Sequence, residues 1–532
     1  MNCTAQRIPY RQTQKFTPIV LDYIDQMDSL RPFYGYPPSR QGVQKAVEQK
    51  KQVPVNRTLL VEQLQLQYQD ITTSEKVKEN IRKLADPNTF TITTAHQPNI
   101  LTGPLYFLYK IIHAIKLAND LSAADEQHAY VPVFYMGSED ADLEELGHLY
   151  INGEKLNWET RQKGAVGRMK IDKAFLAIIH RIRGEVKVEP HGAAIAELME
   201  TSFREGVTVQ MATFHFLNSL FADRGLIVLI PDNPAYKETQ HQVFKDDLLR
   251  QVASGIVEKT SEKLGLAYKL QATPRDINLF YLKDDLRNRI EKVGDQYVIH
   301  DTDLRFSEEE ILQELDNHPE RFSPNVILRG IFQETLLPNI IFIGGGGEIA
   351  YWLQLKDLFE YYGIPYPVLV VRNSFLLIEE KWNTRIARTG FTAEDYFLTG
   401  QELLNRLVQR ETHKELSLKG SLSEAESVFD KIRDQAKSID PTLAQHTEAL
   451  KVQAVKKLRE LEKKMLRTEK KKFSAAERQI NALLEHLFPG NGLQERKDNF
   501  IPYYAKWGKA LLDTLYDQSL GFEQEFVMLV ES

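Results

Sequence analysis

The most constraining feature of the chain is the stretch from Thr91 to Ala118, which predicts a strand, a polar turn and a helix in succession. The β-branched run Thr91-Ile92-Thr93-Thr94 is typical of a buried strand. Beyond Pro104 the apolar residues recur with helical spacing, and a proline is tolerated in the first turn of a helix. This order predicts the first βα unit of a nucleotide-binding α/β sheet, in which free N–H groups at the helix start face an anion.

The turn inside this unit carries more polar side chains than a structural turn needs. His96 and Asn99 are predicted to be catalytic. Gln97, Thr102 and Gly103 are predicted to bind substrate. The alternative is a capped helix behind a buried strand with no ligand, because such turns occur throughout α/β proteins.

A second predicted strand, Tyr130 to Met136, leads directly into an acidic segment that contains five carboxylates between positions 139 and 145. Carboxylates this close repel one another unless a metal ion, an Arg or Lys, or an ammonium substrate lies nearby. Asp140 is therefore predicted to be catalytic, and the predicted substrate-binding residues are Glu139, Asp142 and His148. Part of the cluster can instead cap the next helix and match its dipole.

Two later strands also end in loops that suit a ligand. The strand Asn339 to Ile343 is followed by four glycines, which let the backbone approach a ligand closely. The spacing matches neither GxGxxG nor GxxxxGK[ST], and glycine can alternatively serve tight helix–strand packing. The predicted nucleotide-binding residues are Gly344, Gly345, Gly346, Gly347 and Glu348. The strand Pro367 to Val371 ends at Arg372 and Asn373, which are predicted to bind substrate.

The loops after these strands are expected to meet, because parallel strands end at the same edge of a sheet and ligands bind there. The residues expected to converge on one cleft are His96, Asn99, Asp140, Asp142 and Gly345. In this prediction His96 and Asn99 contact a phosphate or carboxylate, and Glu139 or Asp140 contacts the substrate ammonium.

The C-terminal third predicts a coiled coil, because apolar residues from Leu443 to Leu487 follow a 3/4 spacing that weakens at Thr468 and Lys472. A helix from Thr442 would run for about 45 residues, too long to pack on one globular core. The seam therefore predicts a homodimer with two-fold pairing. The rival is an antiparallel hairpin within one chain, with its turn at the weak point.

Composition excludes several classes of protein and site. The net charge of -7, from 67 basic and 74 acidic residues, argues against a dedicated nucleic-acid binder. The only cysteine, Cys3, permits neither a disulfide framework nor a thiolate zinc site, so no structural zinc and no metal ligands are expected. No segment approaches 18 consecutive apolar residues, so the expected location is the cytoplasm and no membrane partner is expected.

These patterns divide the chain into four segments. They are a helical lead-in (1–90), an α/β core (91–375) with insertions at about 150–215 and 270–325, an α-helical coiled-coil domain (376–490), and a segment that returns to the core (491–532). Neither insertion carries a recognisable chemical motif.

Four stretches, in order, resemble one family, the cysteine-adding enzymes of bacillithiol biosynthesis (the BshC family). They are TAHQPNILTGPLYFLYKIIHAIKLA, VPVFYMGSEDADLEELGHLYI, FIGGGGEIAYWLQLKDLFEYYGIPYPVLVVRNS and NGLQERKDNFIPYYAKWG. The resemblance implies a Rossmann-like, class I synthetase-like core of parallel strands with inserted connecting segments, and a coiled-coil domain that mediates dimerisation. It implies addition of cysteine to glucosaminyl-malate, an amide ligation for which ATP with Mg²⁺ is the expected cofactor.

Two other functions remain open from the sequence. One is a coiled-coil scaffold whose core binds a nucleotide without catalysis, and polar loops at four strand ends argue against it. The other is a tRNA-synthetase-like, adenylate-forming enzyme with another substrate, and the acidic balance and the lack of a basic module argue against tRNA binding. No lysine-rich loop of the KMSKS kind is evident.

Overall fold

The computed structural model describes residues 1–412 and 417–532. They form two compact units, one of residues Met1–Leu377 with Gly492–Ser532 and one of Ile378–Asn491. The strands are β1 (Cys3–Pro9), β2 (Thr89–His96), β3 (Ala129–Met136), β4 (His148–Ile151), β5 (Glu154–Asn157), β6 (Ile227–Leu229), β7 (Leu279–Lys283), β8 (Leu286–Val293), β9 (Gln296–Ile299), β10 (Arg305–Phe306), β11 (Phe322–Pro324), β12 (Asn339–Gly344), β13 (Val368–Val371), β14 (Ser374–Ile378) and β15 (Glu525–Glu531).

The helices of the larger unit come first in the chain and return after the smaller unit. Those before it are α1 (Tyr10–Thr13), α2 (Pro18–Ile24), α3 (Arg40–Lys51), α4 (Arg57–Tyr68), α5 (Glu75–Lys83), α6 (Tyr106–Ala124), α7 (Leu143–Leu146), α8 (Lys173–Val186), α9 (Gly192–Ser202), α10 (Val209–Phe221), α11 (Pro234–Glu238), α12 (His241–Arg250), α13 (Val252–Gly265), α14 (Glu308–Asn317), α15 (Val326–Leu336), α16 (Gly346–Trp352) and α17 (Lys356–Tyr361). The smaller unit contains α18 (Glu380–Arg388), α19 (Gly400–Glu411), α20 (Lys419–Ile439), α21 (Pro441–Lys470) and α22 (Ser474–Leu487), and the larger unit ends with α23 (Ile501–Trp507) and α24 (Lys509–Gln518).

The central sheet has the order β13-β12-β2-β3-β6, and each neighbouring pair is parallel. Strands β2 and β3 pair along their whole length, from Thr89 opposite Ala129 to His96 opposite Met136. The strands are buried on both faces, as continuous apolar and β-branched runs in parallel sheets are. The Rossmann-like parallel core predicted from the sequence is confirmed, and the carboxyl ends of β2, β3 and β12 lie side by side.

The turn between β2 and α6 is held in a backbone conformation that few residues adopt. Leu101, Thr102 and Gly103 all have positive φ, at 48°, 67° and 60°. A Cβ atom on Gly103 would lie 2.8 Å from Cβ of Asn99, so only glycine fits there. Asn499 fixes the turn from the C-terminal segment, because its Nδ2 donates to the carbonyls of Leu101 at 3.0 Å and Gly103 at 2.6 Å.

The two inserted regions have different architectures. The first contains the hairpin of β4 and β5 followed by α8, α9 and α10. The second forms an antiparallel sheet with the order β10-β9-β8-β7-β11, in which Val293 and Gln296 close the hairpin between β8 and β9. Strand β8 carries Arg287, a residue that the sequence did not connect with the site.

A third sheet joins the two ends of the chain, and the sequence analysis missed it. Strand β1 pairs antiparallel with β15, from Cys3 opposite Glu531 to Pro9 opposite Glu525, and β14 lies on the other side of β15. The prediction of a purely helical lead-in over 1–90 is therefore incomplete. The β1 sequence, CTAQRIP, lies at a sheet edge and buries only Ile8, so it lacks the apolar alternation that predicts a strand.

In the smaller unit α20 packs antiparallel on α21. Two hydrogen bonds show the direction: Lys451 Nζ donates to Asp430 at 2.7 Å, and the Leu418 amide donates to Glu462 at 2.8 Å. The predicted continuous helix from Thr442 is wrong. Helix α21 ends at Lys470, and a 3₁₀ turn at Lys471–Phe473 separates it from α22, where the apolar seam weakens. In the described part of the chain, no helix combines the length and apolarity that crossing a bilayer requires.

Asn499→Ala should destabilise the larger unit, because it leaves two buried carbonyl groups without their donor. The expected loss is about 2–4 kcal/mol in the free energy of unfolding, measured by urea denaturation. Asn157→Ala, at an exposed position of β5, is the matched control and should change the midpoint little. Equal midpoints for the two variants would show that Asn499 does not hold the turn.

Candidate functional site

His96 lies at the carboxyl end of β2 as a half-buried, neutral imidazole. Its Nδ1 is 3.0 Å from the carbonyl oxygen of Gln97, which can only accept, so Nδ1 carries the proton. Nε2 then accepts a hydrogen bond from the Tyr106 hydroxyl at 3.2 Å. Burial and the nearby charge of Lys110 lower the pKa of His96 to about 4. Such an imidazole is a poor general base at neutral pH and suits hydrogen bonding to a substrate.

The loops after β2 and β3 are joined through Asp140. Gln97 Nε2 donates to Asp140 Oδ2 at 2.9 Å. Arg287 from the second insertion lies 3.3 Å from Oδ1, and Arg329 from α15 lies 3.4 Å from Oδ2. Although burial alone would raise it, the pKa of Asp140 is lowered by the charges of Arg329 and Arg287. Asp140 is thus an anion with two cationic partners inside the chain.

The other predicted acidic residues also find partners within the protein. Glu139 forms an ion pair with the fully buried Lys237, whose Nζ also donates to the Phe322 carbonyl at 2.6 Å, and Ser323 Oγ lies 3.2 Å from Glu139. Burial raises the pKa of Glu139. Asp142 caps α7 by accepting from the Glu145 amide at 3.0 Å. Lysine and arginine side chains of the protein thus compensate Glu139 and Asp140, and contact of either carboxylate with a substrate ammonium stays a prediction.

The glycine loop after β12 is occupied by a carboxylate of the protein itself. Glu348 Oε2 accepts from the Gly345 amide at 2.8 Å and from Lys110 Nζ at 2.5 Å. Lys110 is 1% exposed and also donates to the Ala95 carbonyl at 2.6 Å, so it ties β2 to this loop. Burial lowers the pKa of Lys110. Burial would raise the pKa of Glu348, but the combined effect of its neighbours, first among them the charge of Lys110, lowers it.

The four glycines have different reasons to be glycine. A Cβ atom would lie 2.9 Å from the Phe342 ring at Gly344 and 2.7 Å from Val20 at Gly346, so these two serve close packing. At Gly345 the nearest atoms would be 3.5 Å away or more, and at Gly347 the nearest is 3.9 Å away. Gly345 also faces the buried Arg372 Nε, which has no hydrogen-bond partner in the described residues. Close packing therefore explains Gly344 and Gly346 but not Gly345 and Gly347, for which approach to a ligand stays a prediction.

Asn99 lines a separate pocket of about 160 Å³ beside this edge. Its Oδ1 is buried and has no hydrogen-bond partner in the described residues. The other lining residues are Pro104, Tyr106, Glu145, His148, Leu149, Tyr150, Arg496 and Lys497. His148 is held by the Glu144 carbonyl, 2.8 Å from Nδ1. The pocket thus joins Asn99 and His148, two of the predicted residues, and Tyr106 connects it with His96.

Arg372 and Asn373 lie inside the larger unit. Arg372 Nη2 donates to Glu495 at 2.6 Å, and its guanidinium lies 5.1 Å from the centre of the Tyr106 ring. Asn373 Oδ1 accepts from the backbone amide of Leu520 at 3.0 Å, and the backbone amide of Asn373 donates to His113 Nδ1 at 3.2 Å. His113 Nε2 donates to the Gly521 carbonyl at 2.9 Å, so this imidazole is neutral. The contacts of Asn373 are those of a structural residue.

The structure therefore gathers His96, Gln97, Asp140, Gly345 and Glu348 at one edge, while Asn99 and His148 line the adjoining pocket. Thr102 and Gly103 form the strained turn, and Thr102 Oγ1 is buried without a partner in the described residues. Sequence reasoning missed the cations Lys110, Lys237, Arg287 and Arg329. The only signal for them was the excess of carboxylates that required compensation. Within residues 1–412 and 417–532 no group of three or more His, Cys, Asp or Glu is placed to hold a metal ion.

Comparison with known proteins identifies similar chains. Residues 1–373 match the model described as "Bacillithiol biosynthesis BshC, N-terminal Rossmann-like domain", and residues 375–531 match "Bacillithiol biosynthesis BshC, C-terminal coiled-coil domain". A protein of Cytophaga hutchinsonii named "Putative cysteine ligase BshC" is 36% identical over 97% of each chain. A protein of Flavobacterium johnsoniae with the same name is 36% identical over 98% of each chain. A crystal structure described as a "putative arginyl T-RNA synthetase" of Campylobacter jejuni has a TM-score of 0.24 and a sequence identity of 8% with this chain. The match covers 88% of this chain and 100% of the synthetase chain.

The neutral His113 should make stability depend on pH. Burial lowers its pKa from 6.5 to about 4, so the stability it contributes is complete above pH 6.5 and is lost as the pH falls toward 4. Between pH 7.5 and pH 5 the expected loss is about 2 kcal/mol. His113→Gln, which keeps one donor and one acceptor, should reduce the difference in unfolding free energy between these pH values by that amount. An unchanged difference in urea denaturation would contradict this assignment.

Proposed function

The chain belongs to the BshC family, and we propose that it is a ligase that joins the carboxyl group of cysteine to the amine of glucosaminyl-malate in bacillithiol biosynthesis. The family models cover nearly the whole chain, and the named relatives are cysteine ligases by description. The reaction forms an amide bond between two small molecules. We also propose that it takes place in the cytoplasm without a nucleic-acid or membrane partner, in keeping with the acidic net charge of -7.

The observation that carries this proposal is the meeting of three polar loops at one edge of the parallel sheet. Gln97 and Asp140 join the loops after β2 and β3 by a hydrogen bond of 2.9 Å. Lys110 joins the end of β2 to the loop after β12 through Ala95 and Glu348. Ligands of open α/β sheets bind at this edge. A scaffold without catalysis would not need so many buried charges there, because burying each one is costly.

The pocket beside Asn99 supports binding of the cysteine ammonium group. The Oδ1 atom of Asn99 is a buried acceptor without a partner in the described residues, and an N–H donor of a ligand would satisfy it. Glu145 lines the same pocket and supplies negative charge for the ammonium, while Arg496 and Lys497 supply positive charge that suits the carboxylate of the same amino acid. We assign His96 to hydrogen bonding with the same substrate through its neutral ring, with Gln97 and Asp140 as positioning residues. Thr102 and Gly103 shape the turn that presents Asn99.

ATP with Mg²⁺ is proposed as the source of energy for the ligation. The groups that fit its phosphates are the backbone at Gly347 and the partnerless Nε of Arg372 near Gly345, because the Gly345 amide itself is bonded to Glu348. Gly344, Gly346 and Glu348 would act indirectly, through packing and through the bond of Glu348 to Gly345. Mg²⁺ commonly binds through phosphates and few carboxylates, so it needs no dedicated cage in the protein. When bound, ATP activates the carboxyl group of cysteine.

Incubation of the purified protein with cysteine, glucosaminyl-malate, ATP and Mg²⁺ tests the function. Mass spectrometry should detect the amide product, and omission of ATP should abolish it. Asn99→Ala should raise the KM for cysteine by about tenfold, because the ammonium loses a buried acceptor. Asn88→Ala, at an exposed turn, is the matched control. If no product forms under any condition, the protein is not this ligase, and an unchanged KM in Asn99→Ala would remove Asn99 from the cysteine site.

We also propose that the protein is a homodimer paired through its coiled-coil domain. The apolar surface that α20 and α21 leave uncovered includes Val428, Ile432, Leu443, Leu450 and Leu461, each between 41% and 53% exposed. Within α21, Leu443, Leu450 and Leu461 lie on one face of the helix, since they are 7 and 11 residues apart. A second copy of the hairpin would cover this stripe.

We also propose that the chain is divided into the four segments that its sequence predicts, 1–90, 91–375, 376–490 and 491–532.

Leu450→Lys together with Leu461→Lys should convert the dimer to a monomer, because the two ammonium groups would lie in the apolar stripe. The control is Val452→Lys, on the opposite face of α21 and 61% exposed. Sedimentation equilibrium at micromolar concentration should give a dimer for the wild type and the control. A monomeric wild type would reject the proposal and leave the α20–α21 hairpin as the complete coiled coil.

A further inference from the structure

Most buried charges near the carboxyl edge of the central sheet are matched one to one. The pairs are Lys110 with Glu348, Lys237 with Glu139, Arg168 with Asp232, and Arg372 with Glu495. Each pair is neutral as a whole, which is how a protein tolerates ionised groups away from water. An unmatched charge in this region therefore requires an explanation.

The exception is Asp140, which faces two cations, Arg287 and Arg329; these two side chains are the arginine pair. Asp140 lies 3.3 Å from Arg287 and 3.4 Å from Arg329, and it is the carboxylate that both share among the ion pairs of the described residues. One negative charge faces two positive charges, so one positive charge is in excess. Arg287 is only 8% exposed, and burial together with repulsion from Arg329 lowers its pKa although Asp140 opposes this. The other carboxylates that act on the two arginines are Glu348 near Arg329 and Glu139 near Arg287, and each of them already forms an ion pair with a lysine.

The guanidinium group of Arg287 keeps a donor available. Arg287 uses Nε for Ser323 Oγ at 3.2 Å and packs its flat face 4.0 Å from the centre of the Phe280 ring. In the described part of the chain no hydrogen bond is made by Nη1 of Arg287. Gly137 leaves room for the guanidinium of Arg329, because a Cβ atom there would lie only 3.4 Å from Nη1. The side chains of Arg329 and Asp140 are 25% and 26% exposed, so solvent reaches this part of the site.

We propose that the arginine pair binds an oxyanion of a substrate, either a carboxylate or a phosphate group. This inference rests on the proposed ligase function and names the group that this part of the site recognises. Guanidinium forks bind both anions through paired N–H···O bonds, and a bound anion would neutralise the excess positive charge. Asp140 acts as the positioning residue that keeps two like charges together before the anion arrives.

The source of Arg287 gives the second insertion a chemical role. Arg287 lies on β8 opposite Leu282 of β7, and β9 pairs with the following part of β8, from Ile290 to Val293. A strand inside a sheet positions a side chain more firmly than a free loop does. The insertion therefore delivers a cation to the edge of the parallel sheet, in a chain where no lysine-rich KMSKS-like loop is evident. Cationic side chains at this place also suit stabilisation of phosphoryl or carboxylate charge.

Calorimetric titration of the intact protein with malate and, separately, with inorganic pyrophosphate tests the inference. At least one of these anions should bind the wild type, and Arg287→Gln should weaken that binding by about tenfold or more. The anion that loses affinity identifies the source, a carboxylate of the acceptor substrate or a phosphate of the nucleotide. Arg289→Gln, on the same strand and 31% exposed, removes the same charge and should bind like the wild type. If Arg287→Gln does not fold, Arg329→Gln replaces it, because this side chain is 25% exposed.

The inference is overturned if neither anion binds the wild type, or if folded variants bind both anions as the wild type does. Steady-state kinetics separates it from the ligase proposal. With the inference correct, the KM for the substrate that carries the anion rises in Arg287→Gln, while the KM for cysteine stays near the wild-type value. If Arg287→Gln weakens anion binding but the wild type makes no amide product, the arginine pair binds an anion and the ligase proposal is rejected. If the wild type makes the product but Arg287→Gln binds both anions as the wild type does, the ligase proposal stands and the anion site is rejected.

Discussion

The compensation of buried charge at one edge of the parallel sheet is the constraint on which the site depends. Removing an ion from water costs several kcal/mol, and a partner recovers that cost only when the geometry is close. Lys110 illustrates the consequence, because its single ammonium group binds the end of β2 through Ala95 and the glycine loop through Glu348. Glu139 and Lys237 likewise tie the loop after β3 to α11 and to the second insertion through Phe322. The ion pairs therefore fix the relative positions of the loops that would contact a substrate.

The sequence was sufficient to predict the parallel core, because its strands are continuous apolar runs followed by polar loops. It also predicted that the loops after β2, β3 and β12 share an edge, as the bond between Gln97 and Asp140 and the contacts of Lys110 show. The individual roles were less accessible. Asp142 was assigned to a ligand but caps α7, and the contacts of Asn373 are with Leu520 and His113. Carboxylate and amide side chains serve capping and binding equally well, and only coordinates separate the two uses.

The cations of the site could not be predicted from local sequence, because each lies far along the chain from the carboxylate that it pairs with. Lys110 lies 238 residues from Glu348, and Arg329 lies 189 residues from Asp140. Lys110 falls on the apolar face of α6, where periodicity predicts a core position and not a charge. Arg287 belongs to an insertion without a recognisable motif. Strand β1 escaped prediction for a related reason, since its hydrogen-bonding partner β15 lies at the opposite end of the chain. Long-range pairing leaves no local signal in a single sequence.

The coiled-coil domain shows how a weak point in a periodic pattern acquires a structural meaning. The seam weakens at Thr468 and Lys472, and the chain changes there from α21 to a 3₁₀ turn and then to α22. The antiparallel packing of α20 on α21 begins at Asp440, whose side chain caps α21 by accepting from the Thr442 amide at 2.8 Å. The hairpin that was the rival of dimerisation therefore exists, but its turn is at Asp440 and not at Lys472. Because Leu443, Leu450 and Leu461 stay exposed on α21, forming the hairpin does not remove the apolar stripe, and hairpin and dimer are compatible.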